Sequence, residues 1–178
     1  MRHAGAVLRV CVSVVLRSLL ERMVKLGELE QGKLHIHAKL FVFTYAFLLR
    51  LPSEALPAVK GRPGMVCQAN TMLYVKGQEL VVELGRRKNK PRGSVLTRRC
   101  CCAAAKPMCA VHVIGPMLDG LALGQTVFGE CTIASATNTL RSMLAALDVP
   151  EAEVYRTHDL RRGHAQDLAD SGRWCPFY

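Results

Sequence analysis

The chain has 178 residues, half of them apolar, with 24 Lys and Arg against 14 acidic residues and a formal charge of +10. That length supports one domain with a real core, and the apolar share excludes a disordered chain. The positive surplus points to a polyanionic partner, nucleic acid first among them.

Taken in chain order, residues 5–26 carry apolar positions at helical spacing, among them Val10, Val14, Leu19, Leu20 and Met23. Arg9, Arg17, Glu21, Arg22 and Lys25 fall between them. The pattern predicts an amphipathic helix, continuous or broken in two. Arg9 and Arg17 also interrupt any export signal, and no small-residue cleavage site follows. A mitochondrial-type leader is the competing reading, because no acidic residue precedes Glu21. Gly27 and Gly32 predict a loop. Residues 1–33 are therefore read as an N-terminal helical segment and 34–178 as the main domain.

A second helix is predicted over 34–51, apolar nearly all round and so buried, with Pro52 ending or kinking it. The run 40–49 is far shorter than the ~20 residues of a bilayer span, so no membrane role is expected. His35 and His37, two apart, are read as surface histidines.

Three short strands follow at 72–75, 80–84 and 94–98, joined by Lys76-Gly77-Gln78 and by a basic turn, 86–93. They predict a three-stranded antiparallel sheet. A short helix is expected within 107–113, then a glycine-rich loop with one turn of structure over 115–129. Another helix runs from Thr132, a plausible cap, to Leu147, with a stripe of Ile133, Ala136, Leu140, Leu144 and Leu147. The last helix begins near His158 and stops at Ser171-Gly172. The fold class expected is α+β, a mostly helical body with a small three-stranded sheet.

The densest chemistry lies in that last helix, in Thr157-His158-Asp159-Leu160-Arg161-Arg162-Gly163-His164-Ala165 followed by Leu168-Ala169-Asp170-Ser171-Gly172. His158 and Arg161 share a helix face at i and i+3, beside the N-terminal amides, and can converge on one anion. The extended string resembles the His-x-x-Arg box of the tyrosine recombinase (phage integrase-like) family. Two further phrases extend the resemblance over about 34–175. Arg50-Leu51-Pro52-Ser53-Glu54, at the end of the most apolar helix, is similar to the family's first arginine box, in which the resemblance implies that the glutamate buttresses the arginine, with one additional residue before the glutamate here. The hairpin Arg86-Arg87-Lys88-Asn89-Lys90-Pro91-Arg92 stands where the family carries its lysine.

The resemblance implies a catalytic set of Arg50, Lys88 (Lys90 as second choice), His158 and Arg161. It implies DNA contacts from Arg50, Arg86, Arg87, Lys90, Arg92, Arg161 and Arg162. Arg50 and Arg161 would clamp the non-bridging oxygens, and the lysine would protonate the leaving oxygen. His158 would assist proton movement. The implied partner is duplex DNA, with a homo-oligomer assembled on it, and the implied setting a nucleus or nucleoid. No cofactor is required for this chemistry. The plain alternatives are a helix-end cation for Arg50 and a solvated charged turn for 86–92.

The departure from the family is the nucleophile. Tyr178 lies only 17 positions after Arg161, Trp174 is also too close to serve, and Tyr155 precedes the box as a packing residue. DNA recombination and integration are thus expected by descent, with binding retained and cleavage by this polypeptide alone not expected.

Eight cysteines include the consecutive Cys100, Cys101 and Cys102. That run argues for reduced thiols in an intracellular setting rather than a disulfide framework. Cys100, Cys102, Cys109 and His112 form a candidate zinc set, Cys-x-Cys-x6-Cys-x2-His, with Cys101 redundant. The competing readings of the whole chain are a non-catalytic nucleic-acid-binding remnant and a small zinc-stabilised interaction module.

Overall fold

Helix α2 (Lys33–Ala46) runs through the centre of the molecule, with Leu40, Phe41, Val42 and Phe43 buried one after another. A computed structural model describes residues 14–30, 32–66, 71–86, 90–103, 106–129 and 131–171. Around α2 pack α1 (Arg17–Glu30), α3 (Ala110–Asp119), α4 (Ile133–Ala146) and α5 (His158–Asp170). One sheet stands at the edge of this helical body, with strands β1 (Ala58–Lys60), β2 (Thr71–Lys76), β3 (Glu79–Leu84) and β4 (Ser94–Arg99) in that spatial order.

The gross α+β class is the one expected, but the sheet has four strands and is mixed. β2, β3 and β4 form the expected antiparallel meander, with Tyr74 opposite Val81 and Val82 opposite Leu96. The additional strand, β1, runs parallel to β2. Its three residues follow Pro57 and are too few to show alternation. Long-range bonds hold it instead: Lys60 N–H donates to Gln125 O (2.9 Å) and Val127 N–H to Ala58 O (2.9 Å).

Helix boundaries also move. Residues 14–16 are not helical, and Val15 N–H donates to the Asp159 carbonyl at 3.0 Å. The predicted helix over 5–26 thus starts at Arg17 among the described residues, while 1–13 lie outside them. It continues through Gly27, where a loop was expected. A Cβ on Gly27 would lie 3.0 Å from that of Ala38, so the glycine sets a close approach of α1 to α2. Val15, Leu20, Met23 and Val24 join the same core as α2.

The second helix ends at Ala46 rather than 51. Leu48 turns left-handed (φ 55°), and the chain enters a π-helical turn, Leu51–Ala55, carrying Pro52 in its first positions. Helix α3 runs on to Asp119 through Pro116, into residues expected to be loop, because Ile114 and Leu118 bury against the core. His37 is buried, not a surface residue. Its Nε2 lies 3.1 Å from Ser135 Oγ on α4, since that face of α2 is covered.

Helix α4 starts as predicted at Thr132. The Thr132 hydroxyl accepts from Ser135 N–H (3.0 Å), and Ser135 Oγ accepts from Thr132 N–H (2.9 Å). Ile133 is half exposed and leaves the predicted stripe; Met143 takes a buried place. No helix among the described residues is long and apolar enough to cross a membrane.

Candidate functional site

The first turn of α5 is built on Asp159. Its buried carboxylate accepts from Arg156 N–H (2.8 Å), and its own N–H donates to Arg156 O (2.9 Å). Val15 N–H holds its carbonyl from the other side. Pinned in this way, the turn exposes His158 and leaves Arg161 partly exposed, three residues apart. Arg162, expected on phosphate, pairs with Asp159, Nη1 to Oδ1 at 3.3 Å, with its side chain half exposed.

Arg50 precedes the π-helical turn. Its N–H donates to Glu54 Oε2 (2.8 Å), and its guanidinium lies 3.9 Å from Glu54 Oε1. Glu54 is buried while the arginine side chain is 60% exposed. The glutamate therefore holds the arginine's base and leaves its fork to solvent, in spite of the additional residue between them. Among the described residues no hydrogen bond or ion pair joins Arg50 to His158 or Arg161.

Arg86, Lys90 and Arg92 are exposed on the hairpin between β3 and β4. Gly93, at φ 76°, closes that hairpin, where a Cβ would meet Leu84 O at 2.4 Å. Arg87 and Lys88 lie outside the described residues, as do Trp174 and Tyr178. The described tyrosines are committed elsewhere. Tyr45 O–H donates to Asp167 Oδ2, Tyr74 O–H donates to Glu83 Oε1 (2.8 Å), and Tyr155 packs against the core.

A second group forms where β4 runs toward α3. Alternation along β4 turns Arg98 inward and Arg99 outward, and the Cys100 N–H donates to Gln78 O (2.8 Å), extending the ladder by one residue. The same alternation leaves Cys100 and Cys102 partly buried and Cys101 exposed. This explains the one-residue ligand spacing and the redundant cysteine together. Cys109 is the N-cap of α3 and His112 sits in its first turn, on the same face.

One donor atom from each of Cys100, Cys102, Cys109 and His112 lies within 4.8 Å of all the others, close enough to bind a metal ion. Cys100 Sγ stands 3.7 Å from His112 Nε2. Tetrahedral zinc with one thiolate and one imidazole ligand separates those atoms by roughly 3.6 Å. The Cys102 backbone N–H lowers the Cys100 thiol pKa. Burial, with hydrogen bonding to Cys109, pushes that of Cys102 up to about 11. Neighbouring thiols thus compete for protons, and a cation would settle that by taking them as thiolates.

Between this group and the C-terminal half of α5 lies a cleft of about 780 Å³. Arg17, Tyr45, Arg98, Arg99, Lys106, His164 and Asp167 line it, while Arg50, His158 and Arg161 do not. Arg98 Nε donates to Ala46 O (2.8 Å), and its guanidinium carbon lies 5.5 Å from the centre of the Phe47 ring. His164 stacks on Tyr45 (centroids 4.6 Å, planes 18° apart), with its Nδ1 on the Tyr45 carbonyl. Nothing in the sequence pattern marks this assembly. Its members are far apart in the chain, and only the contact of α2 with α5 brings Tyr45 to His164 and Asp167.

Burial lowers the His164 pKa below its ordinary 6.5, with Arg98 and Arg17 adding to the effect and the Tyr45 carbonyl and Asp167 opposing it. The unfolded chain then takes up a proton near 6.5 that the folded chain still refuses. Stability is full above that pH and falls as pH drops through 6.5 toward the lower folded value. Urea midpoints measured from pH 7 to 5 should decline in the wild type, and His164→Gln should flatten part of that decline. An unchanged slope in the variant would remove His164 as the cause.

Comparison with protein-family models, with curated proteins and with solved structures finds no match to this chain.

Proposed function

We propose that this chain binds the phosphodiester backbone of duplex DNA through the first turn of α5 and Arg50, and is related by descent to tyrosine recombinase catalytic domains. The observation that carries this is the exposed His158 and partly exposed Arg161 on one face of a turn whose other face is pinned by the buried Asp159. Glu54 accepts from the Arg50 N–H and stands near its guanidinium, which supports a positioned arginine. The charge of +10 favours the same partner. Recombination and integration chemistry enter as ancestry. With Tyr45, Tyr74 and Tyr155 engaged elsewhere, the reading is binding without strand cleavage.

Fluorescence anisotropy with a labelled duplex tests it. Affinity should fall steeply with salt, and Arg161→Ala should weaken binding about equally across sequences and reduce the salt slope by about one. Absence of binding at low salt, or an unaltered slope in the variant, would sink the reading. A nicking assay on supercoiled plasmid should stay negative.

A second reading is favoured by the convergence of four donors: the cluster holds structural zinc. Three thiolates and one imidazole suit a closed tetrahedral site. Zinc would tie the exit of β4, an edge strand, to the start of α3. It would also displace the weak Lys106 N–H contact to His112 Nδ1 (3.4 Å), because that nitrogen carries the ring proton when Nε2 is a ligand. Native mass spectrometry should show one zinc per chain, lost in a Cys102→Ser, Cys109→Ser double variant. A wild-type spectrum without the increment removes the metal. The two readings are compatible, since they use different residues.

A further inference from the structure

The cleft beside the cysteine cluster is chemically one-sided. Arg17, Arg98, Arg99 and Lys106 bring four cations to its lining, against the single carboxylate of Asp167. That carboxylate is already engaged, since its Oδ2 accepts from Tyr45 O–H and from Arg17 N–H (2.8 Å). Glu21 partly neutralises Arg17 from outside the cleft, at 3.0 Å. Arg98, Arg99 and Lys106 have no ion-pair partner among the described residues. Arg98 is the most telling of them. It is half-buried, and burial works against its charge, yet no carboxylate among the described residues pairs with it. Its bonds to Ala46 O and, at 3.4 Å, to Thr97 O use Nε and Nη1, so Nη2 has no hydrogen-bond partner among the described residues. The start of α3, at Ala110 and Val111, lines the same cleft and carries no acidic residue in its first turn.

We propose that this cleft is a phosphate-binding site, distinct from Arg50, His158 and Arg161. Guanidinium forks and helix-start amides match tetrahedral oxyanions with several acceptor oxygens. Four cations and a volume of about 780 Å³ suit a ligand with more than one phosphate group. A pyrophosphate-bearing molecule and a nucleic-acid strand share that chemistry. Zinc at the cluster leaves the sign unchanged, because three thiolates on one divalent ion add a single net negative charge to the wall.

The test is isothermal titration of the purified chain with inorganic pyrophosphate and, separately, with a short single-stranded oligonucleotide. The variant is Arg99→Ala with Lys106→Ala, two exposed side chains whose loss should leave the fold intact, as a thermal melt would verify. Pyrophosphate should bind the wild type and lose roughly tenfold or more in affinity in the variant. Oligonucleotide affinity falling in parallel assigns the site to a strand. Oligonucleotide indifference with pyrophosphate loss assigns it to a small phosphorylated ligand. Failure of both to bind, or equal affinities in wild type and variant, overturns the proposal. Arg161→Ala reads the duplex-binding proposal separately, so either can fail while the other stands.

Discussion

Gly163→Ala is expected to destabilise the fold by about 3 kcal/mol, the upper end for forced overpacking. Gly163 is buried in α5 where the segment 14–16 crosses it. A Cβ there would stand 1.8 Å from Val15 O and 2.4 Å from Val15 C. Both atoms are backbone, and Val15 N–H is tied to Asp159 one turn away, so neither can step aside cheaply. Alanine gains about 1 kcal/mol over glycine in helix propensity, which does not offset the clash. Relief requires α5 to lift from the chain before α1. That would release Asp159 and disorder the turn that presents His158 and Arg161. Urea unfolding of the variant checks this, and a midpoint equal to or above wild type would mean the segment does not cross α5 at that point. Under the proposed function, duplex affinity should drop in the same variant although His158 and Arg161 themselves are unchanged.

Phe43→Ala should cost about 3–5 kcal/mol, the range for truncating a fully buried aromatic. Phe43 is fully buried in the last turn of α2, with the Phe47 and Phe128 rings each 5.5 Å away, centroid to centroid. Its removal leaves a void beside the Phe47 and Phe128 rings. The loss also reaches the cleft, because Phe47 is the ring on which Arg98 rests. A thermal melt should show a large fall in midpoint, while Phe43→Leu, which keeps most of the volume, should recover much of it. Equal losses for alanine and leucine would indicate that ring geometry rather than filled volume matters here.

The cysteine cluster shows how far a spacing can be read. Cys-x-Cys places two candidate ligands unusually close together, with Cys101 redundant between them. Both follow once Cys100 continues a strand, where alternate residues share a face, while Cys109 and His112 open a helix, where residues three apart do. The ligand types were legible in the chain; their convergence depended on where α3 begins relative to β4. Arg50 is a similar case. Its partner Glu54 could be named from the phrase, but the π-helical turn that brings carboxylate to backbone N–H depends on Leu48 turning left-handed after the last regular turn of α2.

By itself the sequence determined the elements whose signals are local: the capped helix α4 from Thr132, the helix beginning at His158, and the β2–β3–β4 meander with its short runs of strand-favouring residues between turn signals. Periodicity and caps act over a few residues, so they survive without tertiary context. Only the tertiary structure decided the parallel strand β1, the burial of His37, the glycine contact of α1 with α2, and the cleft around Arg98 and His164. Each depends on atoms remote in the chain. Residues 58–60 become a strand because residues 71–73 and 124–127 offer them hydrogen bonds, and three residues carry too little pattern to announce that in advance.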